Sequence, residues 1–266
     1  MLGVALALKS IWRHKLPHIV AGAAIVSVLT PLMLLYGVKT GVVDGLVGSL
    51  KRDPRVLVLS VRGNVSLKPE AVDRIRAMPE TLYAIGATRS IASRLEFELS
   101  PKSPSGYFAA DVAPTSAGDP LLKAAGLDTL GDDEVVLSQG LADKLGAKVD
   151  SRVTGRNTRN DGVEQITFPF KVAAILPGSY LAGSRAIATE AVLQKLEAFL
   201  DGYAVPSMGI GGRPAETRVP TIESMRVYAR SIDGVVVLSR ALEKLGFMVS
   251  SNAPQPLRLI PPYHSA

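Results

Sequence analysis

The feature that most constrains this chain is a run of 19 residues without a charged side chain, residues 19–37. At about 1.5 Å per residue, such a helix measures roughly 28 Å, close to the ~30 Å of bilayer hydrocarbon. Trp12 precedes the run and Tyr36 lies at its far end, and amphipathic rings prefer the membrane interface. Pro31 would break a helix in water, but in lipid neighbouring hydroxyl groups can donate to the freed carbonyl oxygens. The run therefore predicts a transmembrane helix over residues 16–38.

Charges on the two sides of the run predict its orientation. Lys9, Arg13 and Lys15 precede it, whereas Lys39 is the cation that follows it closely. Because cations favour the cytoplasmic side, we expect a cytoplasmic N-terminus and an external location for the rest of the chain. A cleaved signal peptide would have a shorter apolar region and a cleavage site of small residues, and a buried core helix would not need this charge asymmetry. We therefore expect a retained membrane anchor.

Residues 1–15 precede the anchor and predict a short amphipathic segment on the cytoplasmic membrane surface. At helical spacing, Ile11 and Trp12 lie on an apolar face, while Arg13 lies on a charged face. A plain continuation of the transmembrane helix is the alternative.

Three glycines, Gly37, Gly41 and Gly45, recur at every fourth position where the apolar run ends. This spacing of small residues lets a second helix approach closely, and apolar residues continue along the same stretch. We therefore interpret residues 39–51 as a helical stalk that packs against another helix just outside the bilayer. A flexible, glycine-rich exit loop is the alternative.

Beyond the stalk, the hydrophobic pattern predicts a globular α+β region. Two strand–helix–strand patterns, in residues 52–120 and 221–251, bracket this region, as the halves of a split ferredoxin-like (βαβ) subdomain would. Residues 121–220 carry the strand and turn signals of an inserted, mainly β subdomain. Residues 252–266 include four prolines and show no hydrophobic period, so we expect a disordered tail.

The composition argues against several functional classes. The net charge of +6 is scattered along the chain and only 5% of the residues are aromatic, which disfavours nucleic-acid binding. Cysteine is absent, which excludes disulfides, thiolate catalysis and zinc–thiolate sites. The three histidines, His14, His18 and His264, lie outside the globular region. A Ser-His-Asp triad or a histidine-bound metal is therefore not expected in that region.

Other motifs of catalysis and cofactor binding are also missing or weak. The sequence contains no Walker A loop, and residues 209–212 lack the strand-to-helix context of a dinucleotide-binding loop. Residues 132–134 are acidic, but without a calcium-loop pattern around them a solvated turn is favoured. A serine–lysine pair stays open, although nothing in the sequence points to one. We therefore predict no catalytic site, no cofactor and no metal.

Four segments of the chain together resemble one group of membrane proteins. They are residues 7–15 ahead of the apolar run, residues 135–146, residues 170–177 and residues 225–229. The group is the FtsX-like permeases of ABC transporters, which includes MacB-type macrolide exporters and lipoprotein-releasing permeases. The resemblance implies a location in the bacterial inner membrane, with a periplasmic core domain of two subdomains, the second inserted in the first.

The resemblance also implies partners and a role. It implies a dimer, with itself or with a paralogous permease, and a cytoplasmic ABC ATPase whose ATP hydrolysis drives export or extraction of a substrate at the periplasmic face. In that setting, the segment with Ile11, Trp12, Arg13 and Lys15 would couple the permease to the ATPase. The glycine face would pack transmembrane helices together.

The chain departs from the family pattern in two respects. Such permeases usually have four spans, but no further apolar run follows the periplasmic domain here, so we expect either a truncated permease or a single-span relative. Asp150 stands where the family often has glycine. Two rival interpretations remain: a single-span envelope interaction protein without an ATPase partner, and a membrane-tethered hydrolase that uses a serine–lysine pair.

Overall fold

The structure, a computed structural model, describes residues 15–43, 54–67, 69–89, 93–100, 106–160, 162–218 and 222–251. The chain divides into two compact units, residues 1–52 and residues 53–266. The first unit contains a long apolar helix, and the second is a domain of strands and helices. This confirms the mixed α+β class with an N-terminal apolar helix.

The apolar helix α1 spans Lys15–Val38 and continues into a π-helical turn, Lys39–Val43. It runs through Pro31 without ending. A stretch of 20 residues, Gly22–Gly41, is long and apolar enough to cross a membrane. All of its side chains are exposed.

A four-stranded antiparallel sheet is built from both ends of the second unit. Its strands lie in the order β10-β1-β9-β2. The elements, in chain order, are α2 (Pro54–Leu57), β1 (Val58–Leu67), α3 (Pro69–Arg76), β2 (Thr81–Ala87), β9 (Ile222–Ala229), α7 (Ile232–Lys244) and β10 (Met248–Ser251). Leu59 and Val61 of β1 are buried, while Ser60 between them is exposed. This alternation is what one covered face requires, and the apolar sides of α3 and α7 pack into the same core.

The chain between β2 and β9 forms a closed barrel of six strands, in the order β3-β4-β8-β5-β7-β6. The pairs β4–β8 and β5–β7 are parallel and the other pairs are antiparallel. The strands are β3 (Arg94–Ser100), β4 (Phe108–Thr115), β5 (Glu134–Ser138), β6 (Arg152–Arg159), β7 (Glu164–Leu176) and β8 (Arg185–Thr189). Three helices accompany them: α4 (Pro120–Ala124), α5 (Gln139–Leu145) and α6 (Glu190–Leu200). The barrel core includes Phe97, Phe170 and the buried sides of α5 and α6.

The strands change sheet earlier in the chain than the sequence indicates. Residues 94–100 and 108–115 form β3 and β4 of the barrel, whereas the sequence pattern predicts that residues 52–120 belong to the first subdomain. An alternating pattern of apolar and polar residues indicates that one face of a strand is covered, but it does not indicate which strands pair with it. The partners of β3 and β4 include β6 and β8, which lie far away in sequence.

Candidate functional site

Two of the three predicted packing glycines lie at the C-terminal end of α1. Gly37 is in its last turn and Gly41 is in the π-helical turn, and a β-carbon at either position would have no neighbour within 4 Å. The Thr40 hydroxyl donates a 2.9 Å hydrogen bond to the Tyr36 carbonyl oxygen, so it is satisfied within the helix. Both glycines therefore leave open space beside the backbone. Gly45 lies outside the described residues.

The predicted coupling segment cannot be placed in the structure. Ile11, Trp12 and Arg13 lie outside the described residues, and Lys15 is described only as the first residue of α1.

A buried charge pair lies where the barrel meets the sheet. Asp119 is fully buried and forms an ion pair with Arg226 of β9. Its carboxylate also accepts hydrogen bonds from the Thr115 hydroxyl at 2.8 Å and from the Leu121 amide at 2.9 Å, which caps α4. Arg226 also donates to the Pro114 carbonyl oxygen at 2.9 Å. Each partner of the pair thus has further hydrogen bonds, which a buried ion pair needs to offset its desolvation.

Two tyrosines surround this pair. The Tyr83 and Ser116 hydroxyls are 2.8 Å apart, and the Tyr83 and Tyr228 ring centroids are 6.2 Å apart. Burial and then the Asp119 charge raise the pKa of Tyr83, and mainly burial raises the pKa of Tyr228 to about 12. We call this group the junction cluster: Asp119, Arg226, Tyr83, Ser116 and Tyr228.

A second charged group holds both segments at which the chain crosses between sheet and barrel. Glu197 of α6 is buried and accepts from Arg89 Nε at 3.3 Å and from Arg218. Arg89 also pairs with Asp201, and this hydrogen bond is the main cause of its raised pKa. Arg89 follows β2 and Arg218 precedes β9, so one helix of the barrel is tied to both crossings. We call these four residues, Glu197, Arg89, Asp201 and Arg218, the crossing cluster.

Sequence reasoning missed both clusters because their members are far apart along the chain. Asp119 and Arg226 are separated by 107 residues, and Arg89 and Glu197 by 108. A local signal exists for Glu197, which interrupts the apolar face of α6, but not for Arg226, which alternates with apolar Met225 and Val227 as an exposed strand residue would. A charge in such a position predicts a buried partner.

The motif in residues 135–146 that carries much of the family resemblance has a structural role here. The Ser138 hydroxyl donates to the Gly183 carbonyl oxygen at 2.7 Å and accepts from the amides of Leu141 and Arg185 at 3.3 and 3.1 Å. It thereby caps α5 and holds the start of β8. Gly146 ends α5 in a left-handed conformation, with φ of 67°. The motif therefore specifies how a strand passes into a helix.

One serine–lysine pair does come together. Lys144 Nζ donates to Ser184 Oγ at 2.7 Å, but Lys144 is exposed. A lysine that activates a serine is normally desolvated, so this contact has the features of a surface hydrogen bond.

Of the acidic residues 132–134, Asp132 and Asp133 form a turn, as the sequence predicts, and Glu134 begins β5. Glu134 accepts from the Gly131 amide at 3.0 Å, and Asp132 pairs with Lys195 at 3.4 Å. Within the described residues, no group of three potential metal ligands comes together.

The glycine-rich residues 209–212 also form a tight turn and not a nucleotide loop. A β-carbon on Gly212 would lie 2.6 Å from the Tyr203 carbonyl carbon, so the turn requires glycine there. Arg159 Nη2 donates to the Gly211 carbonyl oxygen at 2.9 Å. An open groove lies between this turn and the β6–β7 hairpin, but Arg159 at its edge is already occupied by Glu164 and the Phe199 carbonyl.

Comparison with known proteins concerns the fold. No family model matches the chain, and no curated protein matches it. Among solved structures, the chain is similar to the periplasmic region of MacB from Actinobacillus actinomycetemcomitans, with 12% sequence identity and a TM-score of 0.44. The similarity covers 74% of this chain and 89% of that one. A likeness of this size describes shape and does not identify a function.

Proposed function

We propose that this chain is a membrane subunit of an ABC transporter of the FtsX-like, MacB-type class. In this proposal, α1 anchors the chain in the bacterial inner membrane with its N-terminus in the cytoplasm. The domain lies in the periplasm and converts ATP hydrolysis by a cytoplasmic ATPase into export or extraction of a substrate. The chain itself carries no catalytic residues.

The observation that carries the proposal is the nesting of the two subdomains. The strands before and after the barrel return to one sheet, in the order β10-β1-β9-β2, so the barrel is an insert between two strand–helix–strand halves. We infer that the sheet subdomain is of the split ferredoxin-like type. This nesting is what the family resemblance implies for a periplasmic core domain.

The apolar helix supports the membrane part of the proposal. Side chains such as Met33, Leu35 and Tyr36 are each more than 65% exposed. Leaving a large apolar side chain in water costs about 1.5–3 kcal/mol relative to burial. A run of such residues is therefore stable only where lipid or another helix covers it.

Two charged clusters support a mechanical role for the domain. The junction cluster joins the barrel to the sheet, and the crossing cluster ties α6 to both connections between them. Contacts of this kind resist relative movement of the two subdomains. A displacement delivered to the sheet would then reach the barrel.

The proposal is tested by co-purification of the tagged full chain in mild detergent, with partners identified by mass spectrometry. We expect recovery of an ATPase with a Walker motif. A variant with Ile11→Ala and Trp12→Ala serves as control: it removes the apolar face of the coupling segment but keeps the cations that set the orientation, so it should lose the ATPase and remain in the membrane. Recovery of the chain with envelope proteins alone, at matched expression, would favour the single-span interaction protein instead.

The helix-packing residues have a separate test. Gly41→Leu should weaken self-association in a membrane dimerisation assay, because its side chain fills the space left beside the backbone. Ala24→Leu adds a similar side chain on the opposite side of α1 and should leave association unchanged. Equal association of the two variants would exclude Gly41 from the packing face.

A further inference from the structure

The outward face of α7 carries a regular stripe of exposed residues. Asp233, Val237, Arg240 and Lys244 are spaced four, three and four residues apart, which places them along one side of a helix. All four are exposed, and the exposed fraction of Val237 is 52%. The opposite side of α7 packs into the core of the sheet subdomain, so the stripe faces away from it.

The charges on this stripe have no partners in the described part of the chain. Asp233, Arg240 and Lys244 form no ion pair or side-chain hydrogen bond there. The other helix on this side of the sheet differs, because in α3 Arg76 pairs with Asp73 at 3.1 Å. The α7 stripe therefore presents unpaired charges around an exposed apolar residue.

The order of these residues makes the stripe complementary to itself. The acid is near the N-terminal end of α7, and the bases lie toward its C-terminal end. If two copies of α7 pack antiparallel about a two-fold axis between residues 238 and 239, Asp233 of each copy faces Lys244 of the other. Val237 then faces the aliphatic stem of Arg240. A two-fold interface requires this kind of self-complementarity.

We propose that α7 is a surface through which two copies of this chain dock, antiparallel, with Asp233 of each copy paired to Lys244 of the other. One helix face covers less than the ~800 Å² per partner of a stable complex, so free domains would associate weakly. Anchors in one membrane raise the effective concentration and make such a contact significant.

The inference uses the proposed function only for a shared membrane; it does not involve the ATPase. The absence of cysteine from the chain allows a direct test with single-cysteine variants. Under the proposed symmetry, the two copies of residue 237 are offset by about 4.5 Å along the helix. In membranes that contain full-length Val237→Cys, a short bismaleimide should give a product of twice the chain's mass. Lys148→Cys, exposed on the barrel, should give none.

Charge reversal tests the antiparallel register. In the Val237→Cys chain, Asp233→Lys or Lys244→Asp should each lower the cross-linked fraction by about threefold or more, because the facing pair becomes repulsive. The two changes together restore opposite charges and should restore cross-linking. Glu243→Lys reverses a charge on the same helix off the stripe and should have little effect. Circular dichroism of each variant checks that α7 still folds, since the terminal charges also act on the helix dipole.

Specific outcomes overturn the inference. If Val237→Cys cross-links no more than Lys148→Cys, or gives a product whose mass is not twice that of the chain, α7 is not a surface through which two copies dock. Failure of the double reversal to restore cross-linking in a folded chain would remove the antiparallel register. These results are separate from recovery of the ATPase: an ATPase partner without cross-linking leaves the transporter proposal standing, and cross-linking without an ATPase leaves the surface standing.

Discussion

The two charged clusters both join the sheet to the barrel, but their members differ in exposure to solvent. In the junction cluster, Asp119 is fully buried, and its partner Arg226 is 18% exposed. In the crossing cluster, Glu197 is equally buried, but it shares Arg89, which is 38% exposed, with Asp201. The first is a charge pair inside the protein, and the second is a chain of charges that reaches the surface.

This difference determines how each cluster responds to the loss of one member. Removing Asp119 leaves Arg226 between two subdomains with little access to water. Removing the charge of Glu197 leaves Arg89 with Asp201 and with solvent, but it also takes the charged partner from Arg218, whose side chain is 13% exposed. The cations that lose a partner are therefore similarly buried in the two clusters. Asp119 in addition accepts from Thr115 and caps α4, so its removal breaks more interactions, and the junction cluster should contribute more to stability than the crossing cluster.

The largest expected effect is that of Asp119→Ala. It removes the partner of Arg226 and the cap of α4, and it should lower the free energy of unfolding by about 3–5 kcal/mol. Thermal unfolding of the full chain in detergent, followed by near-ultraviolet circular dichroism, measures the loss. Asp128→Ala, an exposed aspartate close to α4, should change stability by less than about 0.5 kcal/mol. Equal melting temperatures for the two variants would mean that the junction pair does not hold the domain together.

Alkaline unfolding probes the apolar side of the same cluster. Burial raises the pKa of Tyr228 from 10.0 to about 12, so the folded state favours the neutral phenol. This contribution is fully present below pH 10 and is lost as the pH rises from 10 toward 12, where the unfolded chain ionises first. The loss is about 3 kcal/mol over this window. Tyr228→Phe cannot ionise and should show a shallower fall in stability with pH; an identical fall would place the loss elsewhere.

The crossing cluster should give a smaller effect. Glu197→Gln keeps the side-chain volume but removes the charge that Arg89 and Arg218 share, and it should cost about 2 kcal/mol. Glu190→Gln is a matched control on the same helix, because Glu190 is exposed and accepts from Gln194. The same unfolding measurement applies. If Glu197→Gln costs more than Asp119→Ala, the ranking of the two clusters is reversed.

The sequence predicts best those features that depend on residues close together along the chain. The predicted span, residues 16–38, differs by one residue from α1, because an uncharged run and a helix are both local. The strand and turn signals of residues 121–220 also match a region that contains four strands, β5 to β8. By contrast, the place of β3 and β4 in the barrel depends on partners distant in sequence.

The charged clusters show the same division. The partner of Arg226 or of Glu197 cannot be identified without the fold, because each ion pair joins two segments that are distant in the sequence. The sequence does show that Glu197 is a charge on the apolar face of a helix. It therefore indicates that a partner exists, but the topology decides which one. The glycine face rests on a local pattern, and its role stays a prediction.

The smallest expected effect concerns an exposed pair, Asp150 with Lys171, whose charged atoms are 2.7 Å apart. Asp150 has a φ of 67°, a left-handed conformation in which glycine is free of the strain that a β-carbon brings. This accounts for the glycine that the family resemblance implies at this position.

Asp150→Gly and Asp150→Ala both remove the carboxylate, so the difference in stability between the two variants isolates the effect of the backbone conformation. After allowance for the flexibility that glycine adds to the unfolded chain, the glycine variant should be more stable by about 0.5 kcal/mol. An alanine variant of equal or greater stability in thermal unfolding would show that this backbone conformation carries no strain. The ion pair with Lys171 would then be the only contribution that Asp150 makes to stability.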